Sequence, residues 1–127
     1  MIPKYRMWNK ITSRLHGVDG LYFDSEEVQY KDEVGVLRFI KFENIILMQS
    51  TGLCDKNGKE IFEKDILDYN GRKVIVKWHG SYACFVYEFV DELKKRTAEW
   101  QPLYLSYYKF EIIGNSLENP ELLEVTE

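Results

Sequence analysis

The side chains best suited to metal or thiol chemistry in this 127-residue sequence are two histidines and two cysteines, His16, His79, Cys54 and Cys84. A structural zinc site takes four ligands, usually as two closely spaced pairs. Only His79 and Cys84 are near each other in the sequence, so no metal site and no cofactor are predicted. The same two residues could form a thiol–imidazole pair, in which the imidazole accepts the thiol proton. Chance proximity is the preferred interpretation, and both thiols are expected to be buried or inert.

Carboxylates that could serve acid–base chemistry cluster after the first predicted hairpin, at Glu60, Glu63, Asp65 and Asp68. Paired carboxylates act as an acid and a base only where their surroundings drive their pKa values apart. The apolar residues between them are expected to form core, so the acids are predicted to point to water. An enzyme would need at least two of Glu63, Asp65, His79 and Cys84 in one pocket. No catalytic residue is predicted, and no glycine-rich phosphate-binding motif occurs.

Six basic residues could instead contact the phosphates of a nucleic acid: Lys4, Arg6, Lys10, Arg14, Lys73 and Lys77. The first four alternate with Tyr5 and Trp8, whose rings could stack on bases. However, the net charge of -4 argues against a general nucleic-acid binder. The preferred interpretation places Tyr5 and Trp8 in the core and pairs the cations with the acids of segment 118–127. A basic start and an acidic end would also suit contact between neighbouring subunits.

Length and composition predict one mainly β domain. Hydrophobic residues make up 45% of the chain and aromatic residues 15%, and aromatic side chains favour half-buried sheet surfaces. Two cysteines are too few for a disulfide scaffold. The start is interrupted by basic residues, and no apolar run is long enough to span a bilayer. The expected location is therefore the cytoplasm, without membrane contact.

Turn signals and alternation predict the elements that would position these residues. Asn57-Gly58 and Asn70-Gly71 predict two-residue type I′ hairpin turns. The alternating run 73–78 predicts a strand, and the two hairpins predict a meander that curls into a small barrel. Further strands are predicted at 4–8, 81–87, 103–107 and 110–113, with one or two over 34–48 that break near residue 43. Segment 88–97 is predicted to be a helix, and Asn119-Pro120 to start a short terminal helix.

Three blocks of the sequence resemble the YopX-like proteins of bacteriophages and of prophages in Gram-positive bacteria. The central block, Leu47–Leu67, reads LMQSTGLCDKNGKEIFEKDIL and is similar to the family signature at most of its positions. The opening block, residues 1–8, and the closing block, residues 113–123, resemble the family's two ends in the same order. One departure is Lys64, which stands where the family pattern has glycine and so questions a tight backbone bend there.

The resemblance implies a fold more than an activity. It implies a small SH3-like pseudo-barrel with extra N-terminal strands and short helices. Within a single domain spanning 1–127, the N-terminal strands occupy about 1–48, the barrel core about 49–116, and a short helix or tail 117–127. No catalytic residue is carried over, because the family offers none.

Three functions follow as hypotheses. The first is a non-enzymatic phage or prophage accessory protein that binds a protein partner or forms a homo-oligomer. The second is a nucleic-acid-binding small barrel, which rests on analogy of fold. The third, least favoured, is an enzyme.

Overall fold

The computed structural model describes residues 4–94 and 99–124 and confirms a mainly β fold with a curled half-barrel sheet, extra strands and short helical turns. The described residues form twelve strands: β1 Tyr5–Asn9, β2 Arg14–Gly17, β3 Gly20–Tyr22, β4 Glu27–Lys31, β5 Leu37–Lys41, β6 Ile45–Cys54, β7 Glu60–Phe62, β8 Asp65–Tyr69, β9 Arg72–His79, β10 Cys84–Phe89, β11 Trp100–Pro102 and β12 Glu111–Asn115. Short 3-10 turns occupy Phe42–Asn44, Val90–Glu92, Leu103–Leu105, Tyr107–Lys109 and Pro120–Leu123.

The chain divides into two compact units, with the boundary between Ser50 and Thr51 inside β6. In the first unit, β1 lies between β2 and the first half of β6, and all of these pairings are antiparallel. The strands β3, β4 and β5 form a separate three-stranded antiparallel sheet. Its inner face contributes Val28, Tyr30 and Ile40 to a core that also holds Met7 and Ile45.

The second unit contains a five-stranded antiparallel sheet in the order β11-β10-β9-β8-β12, as the predicted meander requires. Its core face is built from alternate residues of adjacent strands, because side chains two apart point to the same side of a sheet. These residues pack with Ile61, Leu103 and Phe110. A bulge between Ile112 and Gly114 shifts the register of β12 against β8.

One of the two predicted type I′ turns is present. Asn70 and Gly71 both have positive φ, 52° and 87°, and join β8 to β9 as a two-residue hairpin. At the other turn Gly58 has a φ of 81°, but Asn57 does not enter the left-handed region, so the type I′ prediction is wrong there. The Asp55 carboxylate accepts the backbone N–H groups of Asn57 and Lys59 and holds the loop in a different geometry.

The prediction of a helix over 88–97 is wrong for the described residues. Strand β10 continues to Phe89, and only a 3-10 turn, Val90–Glu92, follows; residues 95–97 lie outside the described residues. The spacing of four between Phe85 and Phe89 resembled a helix, but four is also a multiple of the strand period of two. Pairing with β9 and β11 on its two sides favours the strand.

The strand predicted over 103–107 is also wrong, because 3-10 turns occupy Leu103–Leu105 and Tyr107–Lys109. The strands predicted near 4–8, 73–78, 81–87 and 110–113 are present with bounds shifted by one to three residues. The break predicted near residue 43 is the 3-10 turn Phe42–Asn44. Pro120 opens a terminal 3-10 turn rather than an α-helix.

The backbone bends tightly at Lys64, where the family pattern has glycine. The φ of Lys64 is 70°, in the left-handed region. Its N–H donates to Val76 and its carbonyl accepts from Ser116, which fixes this conformation. A left-handed residue with a Cβ costs roughly 1–2 kcal/mol. The added freedom that glycine gives the unfolded chain offsets part of that cost.

We therefore expect Lys64→Gly to raise the free energy of unfolding by about 0.5–1 kcal/mol, measured by urea denaturation. Lys64→Ala keeps the Cβ and is the matched control, with little change expected. A glycine variant no more stable than the alanine variant would show that this bend carries no strain.

Candidate functional site

The structure brings His79 and Cys84 together, since they are direct cross-strand partners of β9 and β10 and share a face of the sheet. The imidazole packs against the rings of Tyr82 and Trp100 at centroid distances of 5.0 and 4.7 Å. Its Nδ1 is buried without a hydrogen-bond partner. The aromatic packing gives the ring a structural role on this face.

The acids after the first hairpin do not all point to water. Asp65 is buried, and its carboxylate accepts the backbone N–H of Phe62. Glu60, Glu63 and Asp68 are half-buried. The prediction that Asp65 points to water is therefore wrong. Its carboxylate accepts a backbone N–H at the β7–β8 turn, and the apolar side chains around it could not accept that hydrogen bond.

Both cysteines are free thiols, Cys54 exposed and Cys84 half-buried. Of the two alternatives expected for the thiols, buried or inert, burial does not hold for Cys54. Within residues 4–94 and 99–124, no three His, Cys, Asp or Glu side chains converge to hold a metal ion. Over the same ranges, no helix is long and apolar enough to cross a membrane.

The six cations proposed for nucleic-acid contact are spread over both units, and several are engaged by polar groups of their own unit. A guanidinium nitrogen of Arg14 lies 3.4 Å from a carboxylate oxygen of Glu33, and the Lys77 ammonium donates to the Glu88 carboxylate at 3.0 Å. Lys10 donates to the carbonyl oxygen of Glu43. Lys4 is exposed, while Arg6 and Lys73 are half-buried. The partner of Arg14 is an acid of the β4–β5 turn, whereas the sequence predicted one from segment 118–127.

Tyr5 and Trp8, which the preferred interpretation of the sequence places in the core, are half-buried, and so is Trp100. Trp78 is exposed and packs edge-on against Phe85 at 5.0 Å.

A groove of about 440 Å³ lies in the first unit. It lies beside β5 and the turn that follows β1. Its lining residues are Asn9, Ile11, Thr12, Tyr30, Leu37, Arg38, Phe39 and Ile40. Ile11, Leu37 and Phe39 are large apolar side chains that remain exposed there. The turn is held by Asn9, whose buried side chain accepts the N–H groups of Ile11 and Thr12.

The strand beside this groove is the last one of its sheet. In the β4–β5 ladder, Phe42 N–H donates to Glu26 and Asp32 N–H donates to Val36. Hydrogen-bonded and non-hydrogen-bonded pairs alternate along an antiparallel ladder. These two bonds therefore show that residues 36, 38 and 40 are hydrogen-bonded to β4. The backbone N–H and C=O groups of Leu37, Phe39 and Lys41 consequently point away from the sheet. An open strand edge with exposed apolar side chains is a template for pairing with another chain.

Sequence reasoning missed this surface. The run 34–48 was predicted as strand, but its apolar residues look the same whether a strand is central or at an edge. The alternation of Leu37, Phe39 and Lys41 with Ile40 could have indicated that the strand has two different faces. It could not have indicated which face is covered, because that depends on what packs against the sheet.

The fold defines a small mainly β protein, in which a three-stranded sheet with an open apolar edge accompanies a curled half-barrel sheet. The family model described as YopX protein matches residues 4–124, and the chain belongs to that family. A solved structure, the crystal structure of protein EF1440 from Enterococcus faecalis, is similar at 30% sequence identity with a TM-score of 0.62. That match covers 98% of this chain and 99% of the other. No curated protein is similar enough to count as a relative.

Proposed function

We propose that this protein is a non-enzymatic accessory protein of a phage or prophage, acting in the cytoplasm of a Gram-positive host by binding a partner protein. The observation that carries the proposal is the open edge of β5 beside the groove of the first unit. The occupant is an extended segment of the partner, which adds to β5 as a further strand. Main-chain hydrogen bonds then supply affinity, and alternate side chains supply specificity.

The apolar content of this surface supports the proposal. Phe39 is 54% exposed, and its ring packs against the ring of Tyr22 at a centroid distance of 5.8 Å. Ile11 and Leu37 add exposed apolar surface beside it. Clustered exposed apolar residues mark interaction sites more often than isolated ones do. Burial of these side chains by a partner would be favourable by about 25 cal/mol for each Å² of apolar surface covered.

The proposal predicts that Phe39→Asp abolishes capture of the partner. An aspartate on the outer face leaves the core of the first unit intact, because Phe39 is exposed, but it places a charge where the added strand must be desolvated. Tagged wild-type protein, Phe39→Asp and the exposure-matched control Tyr104→Asp from the second unit would be incubated with phage-infected host lysate, with and without nuclease. Circular dichroism would verify that all three are folded.

One protein recovered by the wild type and by Tyr104→Asp, lost with Phe39→Asp and insensitive to nuclease, would support the proposal. Recovery that depends on intact nucleic acid would instead favour the small nucleic-acid-binding barrel and contradict it. Equal recovery by all three proteins, or no recovered protein, would also contradict it. The proposal would also be contradicted if Phe39→Asp changed only the oligomeric state of the protein, since the edge of β5 would then serve self-association.

A further inference from the structure

The charges that flank the open edge of β5 indicate the chemistry of the segment that would pair with it. We infer that this segment is an extended strand with two adjacent apolar residues flanked on each side by an acidic residue. The inference rests on the proposed strand addition and specifies its partner.

The exposed charge of the β5 edge is positive. Arg38 is paired with Asp32 at 2.7 Å, but the arginine side chain is 57% exposed and the aspartate only 10%. Lys41 is 54% exposed, while Glu27, 3.9 Å away, is 28% exposed. In both pairs the cation is the more exposed partner, and the Lys41 ammonium also donates to the carbonyl oxygen of Ser25. An approaching strand would therefore meet the cationic members of the two pairs. Acidic side chains on that strand would complement them.

The register of an added strand places each of its side chains. Direct cross-strand partners share a face of the sheet, and successive residues alternate faces. A residue opposite Ile40 therefore points into the groove, towards Ile11 and Tyr30. The next residue lies opposite Phe39 on the outer face, beside Tyr22. Both positions favour apolar side chains.

The two flanking positions lie opposite Lys41 and Arg38. Lys41 shares the outer face with Phe39, and Arg38 shares the inner face with Ile40 and lines the groove. An acid at each flanking position would face one exposed cation. Because the order of cation, apolar, apolar and cation along β5 is symmetric, the pattern is the same for a parallel or an antiparallel segment.

The pattern of acid, two apolar residues and acid occurs four times in this chain, at residues 60–63, 65–68, 88–91 and 121–124. The first three lie in or at the ends of β7, β8 and β10, and the fourth lies at the 3-10 turn Pro120–Leu123, with both leucines half-buried. All four copies belong to the fold of the second unit, and the proposed occupant of β5 is a segment of a different protein.

The test is a fluorescence-polarisation titration of the full chain with three labelled octapeptides that share the frame Gly-Thr-x-x-x-x-Thr-Gly. Their central residues are Glu-Val-Val-Glu, Lys-Val-Val-Lys and Glu-Ser-Ser-Glu. We expect the first peptide to bind at least about tenfold tighter than the other two, because like charges face each other in the second and apolar burial is lost in the third. The double variant Arg38→Glu/Lys41→Glu is expected to reverse the preference between the first two peptides.

Reversal of the preference is a result that mere unfolding could not produce, because an unfolded unit would lose both peptides. Equal binding of the acidic and basic peptides by wild type, or an unchanged preference in the double variant, would overturn the inference. If no peptide binds while Phe39→Asp still abolishes capture from lysate, the strand-addition function stands and the inferred segment chemistry is wrong. Self-association of the chain competed away by a peptide of residues 118–127 would assign the edge to a second copy and overturn the inference.

Discussion

Replacing Asp55 with alanine is expected to lower the free energy of unfolding by about 4 kcal/mol. Asp55 is 6% exposed, and its carboxylate accepts three backbone N–H groups at 2.9–3.0 Å. Two of them, from Asn57 and Lys59, belong to its own hairpin loop, and the third comes from Ile112 of β12. Each buried donor left without an acceptor costs about 1–3 kcal/mol, and hydrogen bonds to a charged group lie at the upper end.

Urea denaturation of wild type and Asp55→Ala would measure this loss. A matched control is available at Asp32, which heads a second loop of the same pattern: its carboxylate accepts the N–H groups of Val34 and Val36, with Gly35 at positive φ. Asp32 bonds only within its own hairpin and to Arg38, so Asp32→Ala is expected to cost less. Equal losses would show that the Ile112 bond contributes nothing. Asp55→Asn, which retains an oxygen acceptor, serves if the alanine variant does not fold.

The same contacts predict a pH dependence. Burial raises the pKa of Asp55, but the N–H groups of Ile112, Lys59 and Asn57 and the charge of Lys59 together outweigh burial, so its pKa lies below the usual range. The pKa is lower in the folded than in the unfolded chain, so the stabilisation is full above the unfolded value of about 4 and is lost as the pH falls through the folded value.

We therefore expect the wild type to lose stability below about pH 4 more steeply than Asp55→Asn does. Urea midpoints measured between neutral pH and about pH 3 would test this. Parallel curves for the two proteins would contradict the assignment of the lowered pKa to Asp55.

Replacing Phe110 with alanine is expected to cost about 3–5 kcal/mol, the usual range for a fully buried phenylalanine. Phe110 is 2% exposed and meets the rings of Tyr87 and Tyr69 edge-on, at 4.9 and 5.6 Å. Its backbone carbonyl also accepts the N–H of Lys56, so the residue ties the Asp55 loop to the start of β12. The cavity left by alanine would be lined by rings that β8 and β10 hold in place.

Thermal and urea denaturation of Phe110→Ala, with Phe110→Leu as the milder variant, would measure this cost. The control is Ile113→Ala on the same strand, where the side chain is exposed and a loss well under that of Phe110→Ala is expected. A small effect at Phe110 would mean that the core of the second unit rearranges to fill the space.

Local sequence was sufficient where one turn or one alternation decides the structure. Asn70-Gly71 forms its type I′ turn because both residues tolerate positive φ. Asn57-Gly58 has the same two residues but a different turn, because the Asp55 side chain takes the loop's donors. An Asp two residues before the pair does not by itself predict that outcome, because Asp68 stands at the same distance before Asn70-Gly71.

Segment 85–89 shows where local sequence fails. Phe85 and Phe89 share a face in a helix and in a strand alike, so their spacing could not distinguish the two. Strands β9 and β11, on either side of β10, made the choice by hydrogen bonding. Asp65 is a similar case, since its burial depends on a donor at the β7–β8 turn and not on the acids beside it in sequence.

The sequence by itself determined the family, the mainly β class and most strand positions, because these depend on composition, on alternation and on a signature of contiguous residues. Only the tertiary structure decided which strand is left at an edge and which faces are covered. Leu37 and Phe39 could equally have belonged to a buried strand. Their side chains are exposed because they lie on the sheet face opposite the core. Their backbone groups are left open because β5 is an edge strand and its hydrogen bonds to β4 come from residues 36, 38 and 40. The position of β5 at the edge of its sheet, and the choice of which of its backbone groups bond to β4, follow from pairings between residues that are distant in the sequence. No local pattern specifies those pairings.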